Sequence, residues 1–280
     1  MPAATEELRS ELVTTLGSGQ IGSVISLMYH DVVSLSAPDA SGFPGRHAAR
    51  YKISPESFRG HLGVLRQHFE DAARASEPRR KPAAQRPVCI TFDDGGSCSP
   101  EIAAVLGSQG YSAHFFVVTG RIGEPGFVSQ QDITEIRRMG HLIGSHSHSH
   151  PDRISDLSFN EILTEWKTSV ESLSDLLSER VTVASVPRGA HSPLVSQAAR
   201  EAGIQFLFTS EPTATVRRDA GMYVLGRYTF TETSSHEELQ QVLRQSLTYR
   251  LRNRLIWRTK EAIKASAPWL WKAIAGKYNN

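Results

Sequence analysis

Two short segments concentrate the reactive side chains of this chain: Thr91-Phe92-Asp93-Asp94-Gly95 and His146-Ser147-His148-Ser149-His150-Pro151. Together they offer two carboxylates and three imidazoles, donors that suit a divalent metal. Three protein ligands with one open coordination position make a hydrolytic site, and a carboxylate outside the ligand set is free to act as a base. His146 and His150, four residues apart, can reach one metal from a helical turn or a tight loop, whereas His148 between them points elsewhere if the stretch is extended. Adjacent carboxylates at a strand end point in different directions, so Asp93 and Asp94 need not share a task. With Asp94, His146 and His150 as ligands, a bound water falls to a pKa of about 7, and Asp93 is placed to take its proton. Taken alone, Asp-Asp-Gly is also turn chemistry and a His/Ser stretch is also a solvated loop. The combination of the two argues for a site.

The elements that must position these groups follow from hydrophobic patterning. From residue 88 onward, apolar runs at 88–92, 113–118, 141–145, 182–186, 204–209 and 222–226 predict strands, alternating with helices at 99–109, 131–139, 158–178 and 193–202. An earlier strand is predicted at 23–29 and a helix near 55–69, with Ser54, Pro55 and Glu56 as its N-terminal signal. Residues 4–16 read as a short polar helix, 35–50 as a loop without periodicity, and 71–87 as an exposed connection rich in Pro and basic residues. Alternation of strands and helices argues for parallel β/α units. On that map His30, Asp93/Asp94, His146, Pro187-Arg188 and Arg227 each follow the C-terminal end of a different strand. In a β/α barrel the loops at that end converge on one site, so residues nearly 200 positions apart are gathered together. The plain alternatives are a core histidine at position 30 and structural ion pairs for Arg188 and Arg227. His114, His148 and His191 read as structural, supporting or surface residues.

The 280 residues are ample for a full core, with ordinary charged and apolar fractions. Net charge is +2, but residues 244–280 hold nine Lys/Arg against one Glu, so this segment is +8 and the remainder −6. Two cysteines, Cys89 and Cys98, are too few for a disulfide framework and read as reduced thiols. The acidic N-terminus lacks a signal-peptide core, and there is no run of 18 apolar residues, so the expected location is cytoplasmic. In the basic segment Leu239, Leu243, Leu247, Leu251 and Leu255 recur every four residues among Arg250, Arg252, Arg254, Arg258, Lys260 and Lys264. Trp257, Trp269 and Trp271 lie close by. A helix of this kind either packs on the barrel with a solvated basic face or lies peripherally on an anionic membrane, here the inner face. Nothing else in the chain suggests nucleic acid.

The two reactive segments, in this order and spacing, resemble the first two motifs of the polysaccharide deacetylases of the NodB-homology, carbohydrate esterase family 4 type. Ala113-His114-Phe115-Phe116-Val117-Val118 and Met139-Gly140-His141-Leu142-Ile143-Gly144-Ser145 are similar to the family's strands around them. The resemblance runs from about residue 23 to 228. It implies a distorted (β/α)7 barrel, a divalent metal of the Zn²⁺ kind, and hydrolysis of N-acetyl groups on amino sugars. It also implies Asp93 as base and Asp94, His146 and His150 as ligands.

Two departures stand out. The third family motif reads Arg-x-Pro-Tyr, with the Arg steadying the base. Here Ser185-Val186-Pro187-Arg188-Gly189 puts the Arg after the proline, so Arg188 or Arg227 is expected to take that role. The last motif, Leu-x-His, supplies the general acid, but Leu225-Gly226-Arg227 has no His. Leu27-Met28-Tyr29-His30-Asp31 resembles the early Tyr-His segment of the poly-N-acetylglucosamine deacetylases, which points to His30 as the acid. Pro187, Gly189 and Asp31 are the expected substrate contacts.

The expected organisation is an N-terminal helical segment (1–20), a deacetylase domain (21–235) and a basic amphipathic helical tail (236–280). The expected activity is metal-dependent removal of N-acetyl groups from an amino-sugar glycan, a glycan precursor or a lipid-linked sugar. The rivals are an O-acetyl esterase or small-amide hydrolase on the same barrel, and a metal-binding pseudo-enzyme that only grips glycans.

Overall fold

The structure, a computed structural model, describes residues 22–75 and 86–266. The predicted helix at 4–16, the 1–20 segment, most of the 71–87 connection, and Trp269 and Trp271 lie outside the described residues.

The described strands are β1 (Ile25–Tyr29), β2 (Val88–Phe92), β3 (His114–Val117), β4 (Leu142–Ser145), β5 (Val183–Ser185), β6 (Phe206–Phe208), β7 (Arg217–Asp219), β8 (Met222–Leu225) and β9 (Tyr228–Thr229). They form one sheet in the order β7-β8-β6-β5-β4-β3-β2-β1-β9. Every adjacent pair is parallel except β7 with β8. Seven of these strands fall on the predicted apolar runs. The charged β7 and the two-residue β9 were not anticipated.

The ends of the sheet explain the distortion. β8 pairs with β6, while β9 pairs with β1 through Leu27↔Tyr228 and Met28↔Thr229. Only Gly226 and Arg227 separate β8 from β9. A single bent stretch of chain thus serves both open edges, and counting β8 and β9 as one stave gives seven parallel staves. This is the distorted (β/α)7 barrel that the family resemblance implies. A Cβ on Gly226 would lie 2.3 Å from the Glu211 carbonyl oxygen and 2.5 Å from a Thr213 methyl, so the bend needs a residue without a side chain.

Helices Pro55–Ala75, Ser99–Ser108, Gln130–Arg138, Phe159–Leu177 and Pro193–Glu201 alternate with the strands. Their starts are chemically marked. Ser129 with Asp132, and Ser158 with Glu161, form reciprocal capping boxes that satisfy first-turn amides, and Ser192 caps the helix at Pro193. Apolar faces pack on the sheet, with Leu62, Leu65, Ile102, Leu106, Ile133, Ile136 and Leu173 all essentially inaccessible. Cys89 and Cys98 are free thiols, and burial pushes both up to about 12, so they fit the reduced, inert reading.

The predicted four-residue leucine ladder divides in two. Leu239 and Leu243 are core residues of helix His236–Leu243, which packs on helix Pro55–Ala75. Gln245 then adopts a left-handed backbone (φ 51°), and a new helix runs over Leu247–Ser266 with Leu247, Leu251 and Leu255 exposed. No helix among the described residues is long and apolar enough to cross a membrane.

Candidate active site

Asp93 and Asp94 leave β2, His30 leaves β1 and His146 leaves β4, all at the C-terminal ends of parallel strands. The Asp93 amide donates to the Tyr29 carbonyl (3.0 Å) and the His146 amide to that of Val117 (2.9 Å), so each reactive residue is tied to the neighbouring stave. Asp94 (φ 75°), Ser147 (φ 63°) and His150 (φ 55°) all occupy the left-handed region. Non-glycine residues enter it rarely and at a cost. Three within one cluster mark a backbone shaped by the site.

The structure brings Asp94, His146 and His150 into one group whose donor atoms lie within 4.8 Å of one another. The Asp94 Oδ1 is 3.4 Å from His146 Nε2 and 3.7 Å from His150 Nε2. Ligands bonded at about 2.0–2.2 Å in a tetrahedral shell stand roughly 3.3–3.6 Å apart, so the first distance falls inside that range and the second just beyond it. The tautomer fits as well. His146 Nδ1 meets the Ser185 carbonyl at 3.0 Å and its hydroxyl at 2.5 Å. Donation from Nδ1 leaves Nε2 as the free donor atom facing Asp94. Burial works against charge on His146, yet Asp93 and Asp94 together outweigh it and raise the imidazole. Two carboxylates thus draw positive charge to the place where a cation would be held. Burial and the neighbouring His146 push His150 down to about 4, which keeps it in the neutral, ligating form.

Asp93 is held differently. Arg227, fully buried, donates from Nη1 to Oδ1 (2.6 Å) and from Nη2 to Oδ2 (2.8 Å). Its Nε donates to the Thr209 carbonyl at 3.1 Å, and the guanidinium lies 5.6 Å from the Phe116 ring centre and 6.0 Å from that of Phe208. Ser185 adds a hydroxyl donor to Oδ1 at 3.2 Å. Burial raises the Asp93 carboxyl, but the Arg227 and His146 charges overcome it and leave the group below the usual carboxylate range. Asp93 is therefore ionised and fixed in orientation.

Of the two arginines considered for that position, the structure puts Arg227 on Asp93. Arg188 sits half-exposed in a left-handed turn and pairs with Asp152 at 3.1 Å. Both Asp93 oxygens are already taken by one planar fork, which leaves Arg188 no role as its partner. Pro187 is buried, and Gly189 (φ 65°) packs on Ser210. Asp31, expected as a substrate contact, is buried beside the site. It is 1% exposed, accepts from Ser41 Oγ (2.7 Å) and Cys98 Sγ (3.3 Å), and is held by burial above the usual carboxylate range. The residue after His30 turns into the wall of the site. His30 itself is half-buried, with an unpartnered Nδ1 and its ring 5.1 Å from that of Tyr51, and its charge contributes to lowering both Asp93 and Asp94. His148 lies outside the cluster, bonded to Thr119 Oγ1 at 3.0 Å.

Sequence reasoning missed three contributors. Ser185, at the end of β5, bridges Asp93 and His146; its only signal was its place just before the Pro187 turn. Phe43, in the loop without periodicity, stands 4.7 Å ring to ring from His150. Lys52, 1% exposed, sends its ammonium to the carbonyls of Pro38 (2.7 Å), Ser41 (2.5 Å) and Phe43 (2.8 Å) and so fixes that loop. Nothing in the sequence sets Lys52 apart from a surface lysine.

With this geometry in place, the comparisons with known proteins are specific. Residues 80–207 match the family model described as polysaccharide deacetylase. YxkH of Bacillus subtilis (strain 168), provisionally named a polysaccharide deacetylase, is 26% identical over 207 residues, covering 72% of this chain and 69% of its own. The Streptococcus pyogenes deacetylase PplD, solved in complex with acetate, is similar in fold with a TM-score of 0.62 and 22% identity, over 79% of this chain and 98% of that one. IcaB from Ammonifex degensii gives a TM-score of 0.59 with 23% identity, over 80% of this chain and 96% of its own.

Proposed function

We propose that this chain, which carries a polysaccharide deacetylase domain over residues 80–207, is a metal-dependent hydrolase that removes N-acetyl groups from an amino-sugar glycan, a glycan precursor or a lipid-linked sugar. The observation that carries this reading is the contrast between two adjacent carboxylates. Asp94 faces two imidazole nitrogens, while Asp93 is locked by Arg227 and lies 3.8 Å from His146 Nε2.

In this reading Asp94, His146 and His150 hold one divalent cation, Zn²⁺ being the ion that their donor set suits. When bound, the ion supplies Lewis-acid polarisation of an acyl carbonyl and acidifies water. Asp93, kept ionised by Arg227, takes the proton of the attacking water. His30, on the adjacent stave, gives a proton to the departing amine. Its place at the C-terminal end of β1, on the stave that pairs with the one carrying Asp93, supports that role. Arg227 orients the base and prevents it from turning toward the cation. Phe43 walls the His150 side of the site and excludes water there.

The test combines metal analysis of the purified protein with acetate release from matched panels of N-acetylated glycans, O-acetylated sugars and small amides. Stoichiometric zinc and acetate release from the N-acetylated panel, both lost in Asp94→Ala, support the proposal. Release from O-acetylated sugars or small amides alone would assign the rival chemistry. Glycan binding without turnover, unchanged in Asp93→Asn, would make the domain a binding module.

A further inference from the structure

We propose that helix Leu247–Ser266 docks on an anionic lipid surface through its exposed leucine stripe, with the rest of the barrel carried on the opposite face of the helix. Successive helical residues are rotated by about 100°, so Leu247, Leu251 and Leu255 fall within one narrow stripe. They are 65%, 60% and 68% exposed. They are three of the eight large apolar side chains exposed among the described residues; a fourth, Ile256, is on the same helix but outside the stripe. Isolated exposed leucines need no explanation, but a line of them along one helix does.

The same helix has a separate face toward the protein. Tyr249, Asn253 and Trp257 are half-buried, and the Tyr249 hydroxyl donates to Glu238 at 2.7 Å while its ring stands 6.4 Å from that of Tyr228. Docking of the helix therefore uses those three positions and leaves the leucines outward. The left-handed Gln245 is what separates the two roles: Leu239 and Leu243, in register with the stripe by sequence, are buried before the turn.

Charge identifies the occupant. Arg250 and Arg254 run along one border of the stripe, Arg252 lies beyond the other, and Arg258 falls within it. Six Lys/Arg stand against one Glu in the twenty residues. Pairing of this stripe with a second copy of itself would bring guanidinium groups face to face. An anionic bilayer instead takes leucines into its acyl boundary while long arginine stems reach up to the phosphates.

The test is co-sedimentation of the full chain with vesicles of phosphatidylcholine alone or mixed with phosphatidylglycerol, beside light scattering of the free protein. The expected result is at least about tenfold more bound protein on the anionic vesicles, weakening with salt. That binding should be abolished in Leu251→Glu/Leu255→Glu and strongly reduced in Arg250→Ala/Arg254→Ala. All four substitutions are at exposed positions. Binding that survives Leu251→Glu/Leu255→Glu would overturn the assignment to this stripe. A dimer in solution dispersed by the same change, without vesicle binding, would show that a second copy covers the face. Acetate release from a soluble substrate reports on the catalytic reading separately, so the two can fail independently.

Discussion

Asp93 and Arg227, 134 residues apart in sequence, meet as a fully buried fork in which one guanidinium satisfies both carboxylate oxygens at 2.6 and 2.8 Å. The pair joins the end of the second stave to the bend of the last.

Replacing Arg227 by Met should cost more than replacing an ordinary core residue, because it strands the Asp93 charge in a dry setting. Loss of one partner of a buried pair costs about 3–5 kcal/mol, read as a lower midpoint in denaturant. Without the guanidinium the Asp93 carboxyl rises, so the acid limb of any activity that needs it ionised moves to higher pH. Arg227→Lys keeps the charge but not the fork, and should retain more stability than activity. An unchanged acid limb in both variants would sink the assignment of Arg227 as the residue that holds the base.

For His30 the informative measurement is the dependence on leaving group. His30→Ala should lower kcat by roughly 10²–10⁴-fold on an N-acetyl substrate, the range of general-acid contributions. It should barely change turnover of an activated aryl acetate, whose leaving group needs no proton. Equal losses on both substrates would argue for a structural role at the strand end.

Lys52→Met tests whether the loop over the site is held from beneath. The substitution keeps most of the volume but removes the donor to three carbonyls, and each carbonyl left dry costs about 1–3 kcal/mol. Amide exchange at 38–43 should quicken and the melting temperature should fall. Because Phe43 rests on His150, KM for a glycan should rise more than kcat falls. Wild-type exchange rates in this loop would show that the ammonium is incidental.

Acid stability should depend on a buried histidine away from the Asp/His cluster. His114 is 3% exposed, and burial together with the Arg227 charge pushes it down to about 4. The folded protein then binds fewer protons than the unfolded chain between about 4 and 6.5, so stability is full above that window and falls as pH drops through it. Over the whole window this amounts to something on the order of 3 kcal/mol. His114→Leu should flatten the decline, measured as melting temperature against pH. A slope identical to that of the wild type would show that other groups set it.

The β/α rhythm was legible because alternating strands and helices leave strong apolar periods. The convergence of Asp93, Asp94, His146 and Arg227 followed from their shared place at strand ends. What escaped detection depended on contacts between segments distant in sequence. No local pattern distinguishes Arg227 from Arg188, since both follow strands; the choice is made by the bend at Gly226 and by the aromatic floor of Phe116 and Phe208. Nor does the sequence show that Asp31, next to His30, is buried with one oxygen bonded by Ser41 and Cys98, since both partners come from other segments. The unbroken leucine spacing concealed the turn at Gln245, since nothing in that polar residue announces a left-handed backbone.

The bent last stave has a consequence for the order in which the protein becomes whole. Asp93, Asp94, His146 and His150 all leave the ribosome well before Arg227 and the Tyr228–Thr229 strand that closes on β1. Until that stretch arrives, the seam is open and Asp93 lacks its counter-charge. Closure of the barrel and setting of the base are therefore the same late event. A chain cut short anywhere before residue 227 would carry every candidate metal ligand yet lack the arginine that fixes its carboxylate.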